Sequence, residues 1–187
     1  MILPLVAAVF FAVTFVAEKI MLRGHKVKSK KDWDRSSLLI FDVSGVLSVP
    51  VGMIVSFTDV GRIHTASALI SLIGIVMMLL GTALRWAAIL TLRNYFTVNV
   101  TILENHQIVR RGLYRYLRHP SYAGLLLRYF GFGLGLGNWL SVIFISVPLL
   151  GAVVYRIHIE EKALRQSFGQ QYEKYAQDTW RLVPKIY

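Results

Sequence analysis

Long apolar runs separated by short polar segments dominate the hydrophobic pattern of this chain. Nearly charge-free stretches cover about residues 2–22, 37–57 and 66–92, and a final stretch runs from about 120 to 157. Each of the first three is near the ~20 apolar residues that a helix needs to cross a bilayer. The pattern therefore predicts membrane-spanning helices, and the uncharged start of the first run indicates a permanent span, not a cleaved leader.

The final apolar stretch is too long for one crossing. It contains the turn-prone pair Gly137-Asn138, where a chain can reverse direction. Splitting it there predicts helices over about 120–136 and 139–157, each roughly 25–28 Å long at 1.5 Å per residue. One long tilted helix is the alternative.

The distribution of Lys and Arg tests this topology. Segments 23–36 and 93–119 and the tail from 156 hold six, five and six basic residues, whereas segment 58–65 holds one and the 137–138 turn holds none. Basic residues favour cytoplasmic loops. The alternation therefore predicts an all-α bundle of about five spans, with the N-terminus outside and the C-terminus cytoplasmic. We treat 1–187 as one integral-membrane domain whose catalytic half is 93–187.

Composition supports a membrane protein and narrows its chemistry. The chain is 55% hydrophobic and 17% charged, whereas soluble domains have about 25% charged residues. Its net charge of +11 is explained by the basic loops, so nucleic acid is not a predicted partner. The absence of Cys excludes disulfides and thiol catalysis. The five His residues form no compact ligand set with carboxylates, so no metal site is predicted.

Five ionisable residues fall near the predicted cytoplasmic ends of their helices: Glu18, Asp42, Arg85, Arg128 and Arg156. We expect their charged groups to snorkel to the interface, which would collect polar groups at one membrane face. Asp42 has two open interpretations. It is either a residue of a substrate pathway or a buried partner for Arg85 or Arg128.

The segment around Pro120 is a candidate ligand site. Proline fits the first position of a helix, and the free N–H groups of a first turn can receive an anion or the polar edge of a ligand. His119 and Tyr122 would flank that turn. A plain helix start at the interface explains the same residues.

Arg156 and Glu160 lie four residues apart and therefore on one helical face. They form either an ordinary ion pair or a site in which Arg156 holds a substrate carboxylate and Glu160 recognises a cofactor. The Gly131–Gly137 run contains small-xxx-small pairs in an apolar span, which favour close helix contact over a nucleotide loop.

Taken together, two motifs resemble the isoprenylcysteine carboxyl methyltransferase family. The first is Gln107-Ile108-Val109-Arg110-Arg111-Gly112-Leu113-Tyr114, three residues, then Arg118-His119-Pro120-Ser121-Tyr122-Ala123-Gly124. The second is Arg156, three residues, then Glu160-Glu161, and it continues in Phe168-Gly169-Gln170-Gln171-Tyr172-Glu173-Lys174-Tyr175.

The resemblance implies an integral-membrane enzyme that moves a methyl group from S-adenosylmethionine to the C-terminal carboxylate of a prenylated cysteine. It implies a cytoplasmic-face pocket formed by the loop between spans 3 and 4, the hairpin of spans 4 and 5 and the tail. Arg156 would bind the substrate carboxylate, and Arg156 and Glu160 would be the catalytic residues. The cofactor would be held by His106, Gln107, Ile108, Val109, Tyr114, His119, Pro120, Ser121, Tyr122 and Glu160.

The residue types suit this chemistry. A C-terminal carboxylate, with a pKa of about 3.3–3.7, is already anionic at neutral pH, so no general base is required. Alignment of the reacting atoms can contribute roughly 7–11 kcal/mol, and a guanidinium grips a carboxylate in a fixed orientation. Three alternatives remain: a phospholipid-type methyltransferase, an NADPH-dependent sterol-type reductase with a similar His-Pro-x-Tyr segment, and a non-catalytic scaffold or small transporter.

Overall fold

The computed structural model describes residues 2–22, 35–65, 67–92, 96 and 107–187. Within these ranges the chain is all-α, as predicted. Its helices are α1 Ile2–Leu22, α2 Arg35–Ser56, α3 Ser67–Leu92, α4 Pro120–Gly135, α5 Trp139–Phe168 and α6 Gln170–Gln177, with a 3-10 helix over Gly112–Arg115.

Four of these helices, α1, α2, α3 and α5, are long and apolar enough to cross a membrane. The fifth predicted span, α4, has 16 residues and is therefore about 24 Å long at 1.5 Å per residue. It nevertheless runs antiparallel to α3 from one end of the bundle to the other. The α5 helix continues to Phe168, well beyond the predicted end near residue 157.

The turn between α4 and α5 falls at the predicted Gly137-Asn138 pair. Gly137 has a φ of 71°, which glycine adopts without steric cost. The buried Asn138 side chain caps α5 by accepting hydrogen bonds from the backbone N–H groups of Leu140 (2.8 Å) and Ser141 (3.2 Å). The alternative of one long tilted helix is therefore wrong.

Glycines bring α3 and α4 into close contact. A Cβ added to Gly131 would lie 2.6 Å from the carbonyl oxygen of Gly74, and one on Gly124 would lie 2.6 Å from that of Gly81. No side chain fits between backbones at this distance, so the small residues permit the contact. The expected role of the Gly131–Gly137 run in close helix contact is confirmed.

The helices alternate in direction, so each end of the bundle collects alternate loops. At one end the loop after α2 meets the α4–α5 turn: Ile63 N–H donates to Gly137 O (2.9 Å) and Trp139 N–H donates to Gly61 O (2.8 Å). These are the two segments that are poor in basic residues. The opposite end holds the C-terminal parts of α1, α3 and α5 and the N-terminal parts of α2 and α4.

The segment after α5 folds back onto this second end. Gly169, with a φ of 49°, terminates α5, as a glycine in a left-handed conformation commonly does. Beyond α6 the chain pairs with residues 116–119: Arg118 N–H donates to Trp180 O (2.7 Å), and Trp180 N–H donates to Tyr116 O (3.0 Å). The tail therefore forms part of the protein wall at this end of the bundle.

Candidate functional site

A large cavity lies at the end of the bundle where α1, α3 and α5 finish and α2 and α4 begin. It contains about 1580 Å³ of space free of protein atoms, including its mouth. Residues of α1, α2, α3, α4, α5, α6 and the 3-10 helix line it. Sequence-predicted site residues in its lining are Gln107, Ile108, Val109, Tyr114, His119, Ser121, Tyr122, Arg156 and Glu160.

Two predicted residues stand apart from this set. Pro120 occupies the first position of α4 and is fully buried, and it does not line the described part of the cavity. His106 lies outside the described residues, so its predicted role stays a prediction. Pro120 starts α4 and thereby sets the direction in which Ser121 and Tyr122 enter the cavity.

Arg156, Tyr122 and Glu160 form a continuous hydrogen-bonded chain inside the cavity. Arg156 Nε donates to the Tyr122 hydroxyl (2.8 Å), which donates to Glu160 Oε2 (3.0 Å). Arg156 Nη1 also lies 3.4 Å from Ser37 Oγ of α2, and its guanidinium stacks over the Phe41 ring. The two residues predicted to share one helical face are therefore bridged by a hydroxyl from α4, with the cation held in a fixed orientation.

His119 lies behind Tyr122 and is almost completely buried. Its Nδ1 is 3.9 Å from Glu160 Oε2, and its Nε2 is 3.5 Å from Glu161 Oε1. Nε2 has no partner with hydrogen-bonding geometry in the part of the chain that the structure describes. This nitrogen is enclosed by protein and faces the Glu161 carboxylate, whereas other atoms of His119 line the cavity.

The first turn of α4 does not present a row of free donors. The N–H groups of Tyr122 and Ala123 both donate to the carbonyl oxygen of His119 at 3.1 Å. Pro120 has no N–H. The N–H groups of Tyr122 and Ala123 are therefore used within the helix, and the expectation that a free amide of this turn receives an anion stays a prediction for Ser121.

Glu161 anchors the tail beneath the cavity. Its carboxylate accepts hydrogen bonds from Arg118 Nε (3.0 Å), Arg181 Nη2 (3.1 Å) and Arg165 Nη2 (3.3 Å). The hydrogen bond from Arg181 to this carboxylate raises the pKa of Arg181 above its usual value. Arg118 also donates to the carbonyl oxygens of Ala176 and Thr179. The network fixes α6 and the tail against the segment that carries His119.

A second buried network joins three helices at the cavity wall. Glu18 of α1 accepts hydrogen bonds from Arg85 Nε of α3 (2.8 Å) and Arg128 Nη1 of α4 (2.6 Å), and all three residues are buried. Arg85 Nη1 further donates to Ser121 O (3.1 Å). The expectation that these three charges snorkel to the interface is wrong, since the Glu18 carboxylate pairs with both guanidiniums inside the bundle.

Asp42 is not the partner of either arginine among the described contacts. Its carboxylate lies 3.8 Å from the Lys19 ammonium of α1, and both side chains are half-exposed. Neither the Glu18 network nor the Lys19–Asp42 ion pair could be predicted from the sequence. Residues 18, 85 and 128 are far apart in the chain, and the helix contacts that unite them are tertiary.

Tyr114 and Tyr175 close the floor of the cavity. The Tyr175 hydroxyl donates to the carbonyl oxygen of Tyr114 at 2.8 Å. Burial raises the pKa of the Tyr114 hydroxyl well above its usual value, so this side chain stays neutral.

In the described residues no group of three or more His, Asp or Glu side chains could hold a metal ion.

The fold and this site define a class: a polytopic helical membrane protein that has a cavity lined by charged and polar side chains at one end of its bundle. A family model described as the isoprenylcysteine carboxyl methyltransferase family matches residues 72–166. The chain belongs to the isoprenylcysteine carboxyl methyltransferase family.

Similar proteins carry related names. The chain is 35% identical over 119 residues to a probable protein-S-isoprenylcysteine O-methyltransferase of Oryza sativa subsp. indica, covering 63% of this chain and 62% of that protein. It is 40% identical over 119 residues to protein-S-isoprenylcysteine O-methyltransferase B of Arabidopsis thaliana, covering 63% and 60%. The chain thus spans about three fifths of the length of these relatives.

A solved structure is also similar. It is that of the eukaryotic intramembrane Ras methyltransferase ICMT, isoprenylcysteine carboxyl methyltransferase. The two share 30% sequence identity with a TM-score of 0.61, over 82% of this chain and 54% of the solved one. The similarity and the apolar helices identify this chain as an integral membrane protein.

Proposed function

We propose that the chain transfers a methyl group from S-adenosylmethionine to a lipid-linked carboxylate, the C-terminal carboxylate of a prenylated cysteine. One observation carries this proposal. A buried guanidinium and a partly exposed carboxylate line one cavity and are joined by a tyrosine hydroxyl, in the chain Arg156–Tyr122–Glu160. Such a site offers a cationic end for the acceptor and an acidic end for the donor.

Arg156 is the acceptor-binding residue of this proposal. A C-terminal carboxylate is anionic at neutral pH, so it already carries the nucleophilic oxygen. The Arg156 side chain is 3% exposed, and in such surroundings a charge-assisted hydrogen bond is stronger than in water. Tyr122 and Phe41 hold the guanidinium in place, so its planar fork orients the oxygen before reaction.

Glu160 and its neighbours suit the donor. A methyl-bearing sulfonium supplies an electrophilic carbon when the cofactor is bound. Glu160 is about one-third exposed and can accept hydrogen bonds from a cationic amino group. His119 and the segment Gln107–Val109 also line the cavity, and the backbone N–H and C=O groups of that segment would suit the edge of a purine. These residues fit the group that the family resemblance implies.

The remaining walls would exclude water from the reacting atoms. Apolar side chains that line the cavity include Phe15, Leu38, Phe41, Val46, Leu125 and Leu149. Removing water from a carboxylate and holding it in line with an electrophile are the main tasks that a methyl transfer sets. The same apolar surface suits a prenyl chain, so the proposed partner is a lipid-modified cysteine in the membrane.

We also propose that the cavity end faces the cytoplasm. The helix ends that adjoin the segments rich in Lys and Arg lie at this end, and the two segments poor in them meet at the other. Because the chain contains no Cys, single cysteines report sidedness cleanly. In intact cells an impermeant maleimide should label Val60→Cys and should label Val183→Cys only after lysis; the reverse pattern would refute the orientation.

The methyl transfer itself is tested with labelled S-adenosylmethionine and a panel of acceptors. Purified protein should convert N-acetyl-S-farnesylcysteine to a base-labile labelled ester and leave phosphatidylethanolamine unlabelled. An amine must first lose a proton, and Arg156 cannot accept one. Label in the lipid amine alone would favour a phospholipid methyltransferase, and NADPH binding without S-adenosylmethionine binding would favour a reductase.

Variants assign the role of Arg156 in the same assay. Arg156→Ala should lower kcat/KM by about 100-fold or more, because a buried charge contact is lost. Arg156→Lys should recover part of this rate, since it keeps the charge without the fork. Arg62→Ala, which removes an exposed arginine at the other end of the bundle, is the matched control and should retain wild-type rates.

A further inference from the structure

The buried network at the cavity wall holds one more positive charge than negative charge. The guanidiniums of Arg85 and Arg128 both contact the single carboxylate of Glu18, at 2.8 and 2.6 Å, and the three side chains are at most 9% exposed. All three residues line the cavity. Among the described residues no second carboxylate pairs with either arginine. A charge at this depth of a membrane protein is costly without a partner, so the surplus favours an anion in the cavity.

Both guanidiniums retain donor groups for such an anion. A guanidinium has five N–H donors in a planar fork. The described hydrogen bonds use Nε and Nη1 of Arg85, which donate to Glu18 and to a backbone carbonyl oxygen of α4, and Nη1 of Arg128, which donates to Glu18. The Phe11 and Tyr129 rings lie 5.6 and 5.5 Å from the Arg128 guanidinium carbon and hold it in place. The Nη2 group of each arginine is therefore left for a ligand.

The surplus charge lies beside the proposed reaction centre. Arg85 Nη1 donates to the carbonyl oxygen of Ser121 (3.1 Å), the residue before Tyr122 in α4. The Tyr114 hydroxyl on the cavity floor is within electrostatic range of both ends of the site. Burial is the largest cause that raises the pKa of Tyr114; the Glu160 carboxylate adds to this rise and the Arg85 guanidinium opposes it. One small ligand could therefore meet the acidic end of the site and the surplus charge together.

The donor of the proposed reaction has an anionic group of its own. S-adenosylmethionine carries its α-carboxylate and its amino group on the same carbon atom, and the proposed function places the amino group beside Glu160. Among the other cations that line the cavity, Lys19 and Arg118 each pair with a carboxylate. Arg156 is assigned to the acceptor in the proposed function. The surplus charge of the buried network is what remains for the donor carboxylate.

We propose that Arg85 and Arg128 form the binding site for the α-carboxylate of the methyl donor. The proposal rests on the proposed function, because it requires S-adenosylmethionine as the donor. It makes the two arginines cofactor-binding residues and makes Glu18, which contacts both of them, the residue that positions them. The amino-acid part of the donor is then held at two points, its amino group at Glu160 and its carboxylate at the guanidiniums.

Removing the carboxylate from the ligand tests the site without any substitution in the protein. Calorimetric titration compares S-adenosylhomocysteine with its decarboxylated analogue, S-adenosyl-3-thiopropylamine, which keeps the adenosine and the amino group. The analogue should bind about 10- to 100-fold more weakly, the range expected when hydrogen bonds to a charged group are lost. Equal affinities of the two ligands would overturn the proposal.

The variant Arg128→Met assigns this discrimination to the buried network. It leaves Glu18 paired with Arg85, so it removes the surplus charge and strands none. Its affinity for S-adenosylhomocysteine should fall by about 10-fold or more, and its affinity for the decarboxylated analogue should not change. Equal weakening of both ligands would indicate a structural role and overturn the proposal. Arg128→Lys should keep part of the discrimination, and Arg62→Met, at the other end of the bundle, is the control that should keep all of it.

The acceptor is the other source of a carboxylate in this cavity. If the network bound the acceptor, Arg128→Met would weaken binding of N-acetyl-S-farnesylcysteine but not of its carboxamide, and the ratio of the two donor-site affinities would stay at the wild-type value. That result would overturn the assignment. Absence of methyl transfer with the carboxylate discrimination intact would overturn the proposed reaction alone. Failure of S-adenosylhomocysteine to bind the wild-type protein would overturn both.

Discussion

Replacing Glu18 by alanine would leave the Arg85 and Arg128 guanidiniums buried without the carboxylate that now accepts hydrogen bonds from both. The side chains of Glu18, Arg85 and Arg128 are 9%, 6% and 1% exposed, and the two contacts are 2.8 and 2.6 Å long. Removing one partner of a buried ion pair costs about 3–5 kcal/mol because it strands a charge.

That free energy converts into a measurable change in thermal stability. For a chain of this size each ~1 kcal/mol lowers Tm by roughly 2–4 °C, so Glu18→Ala should melt about 6–20 °C below wild type. The assay is thermal unfolding in a mild detergent, followed by tryptophan fluorescence and by loss of the monodisperse peak on size exclusion.

Three comparisons sharpen this prediction. Glu18→Gln keeps the shape and an acceptor oxygen, so its loss should be intermediate. Asp59→Ala, which removes an exposed i,i+3 partner of Arg62, should cost less than about 1 kcal/mol. A triple Met variant at 18, 85 and 128 should recover most of the stability, because an apolar replacement strands no charge. A Glu18→Ala protein that melts with wild type would refute the reasoning.

Three further predictions concern other contacts. Gly124→Ala places a Cβ 2.6 Å from the α3 backbone and should disturb folding. In Gly151→Ala the added Cβ meets nothing within 4 Å, so this variant should stabilise α5 by up to about 1 kcal/mol. Melting curves in detergent compare the two variants. Glu161→Gln weakens the contact with Arg118 and should speed limited proteolysis of the tail; an unchanged cleavage rate would show that Glu161 does not anchor it. Tyr122→Phe breaks the hydroxyl bridge and should lower kcat/KM by about 10- to 100-fold, as for hydrogen bonds to charged groups; an unchanged rate would contradict the bridge.

The fold could be predicted from sequence because each membrane span corresponds to a continuous apolar run in the chain. Apolar runs of sufficient length and the segregation of Lys and Arg indicate the crossings, and the turn-prone Gly137-Asn138 pair marks the reversal between the last two. The end of α5 could not be placed this way. Its last turns leave the apolar stretch, and Glu161 and Gly169 decide where they stop.

The parts of the candidate site whose residues lie close together in the sequence were predictable. Residues around His119 and those around Arg156 and Glu160 carry short, spaced motifs, and the structure brings them to one cavity. Glu18 and its arginines carry no such signal, because three helices must pack before the charges meet. The position of the Tyr122 hydroxyl between Arg156 and Glu160 could not be predicted for the same reason.

The most direct measurement is an experimental structure of the protein with S-adenosylhomocysteine and an S-farnesylcysteine acceptor. The acceptor carboxylate should lie about 3 Å from the Arg156 guanidinium, at hydrogen-bond distance, with the amino group of the cofactor product beside Glu160. An acceptor carboxylate bound away from Arg156, or a cofactor product bound outside the cavity that contains Tyr122, would contradict the account.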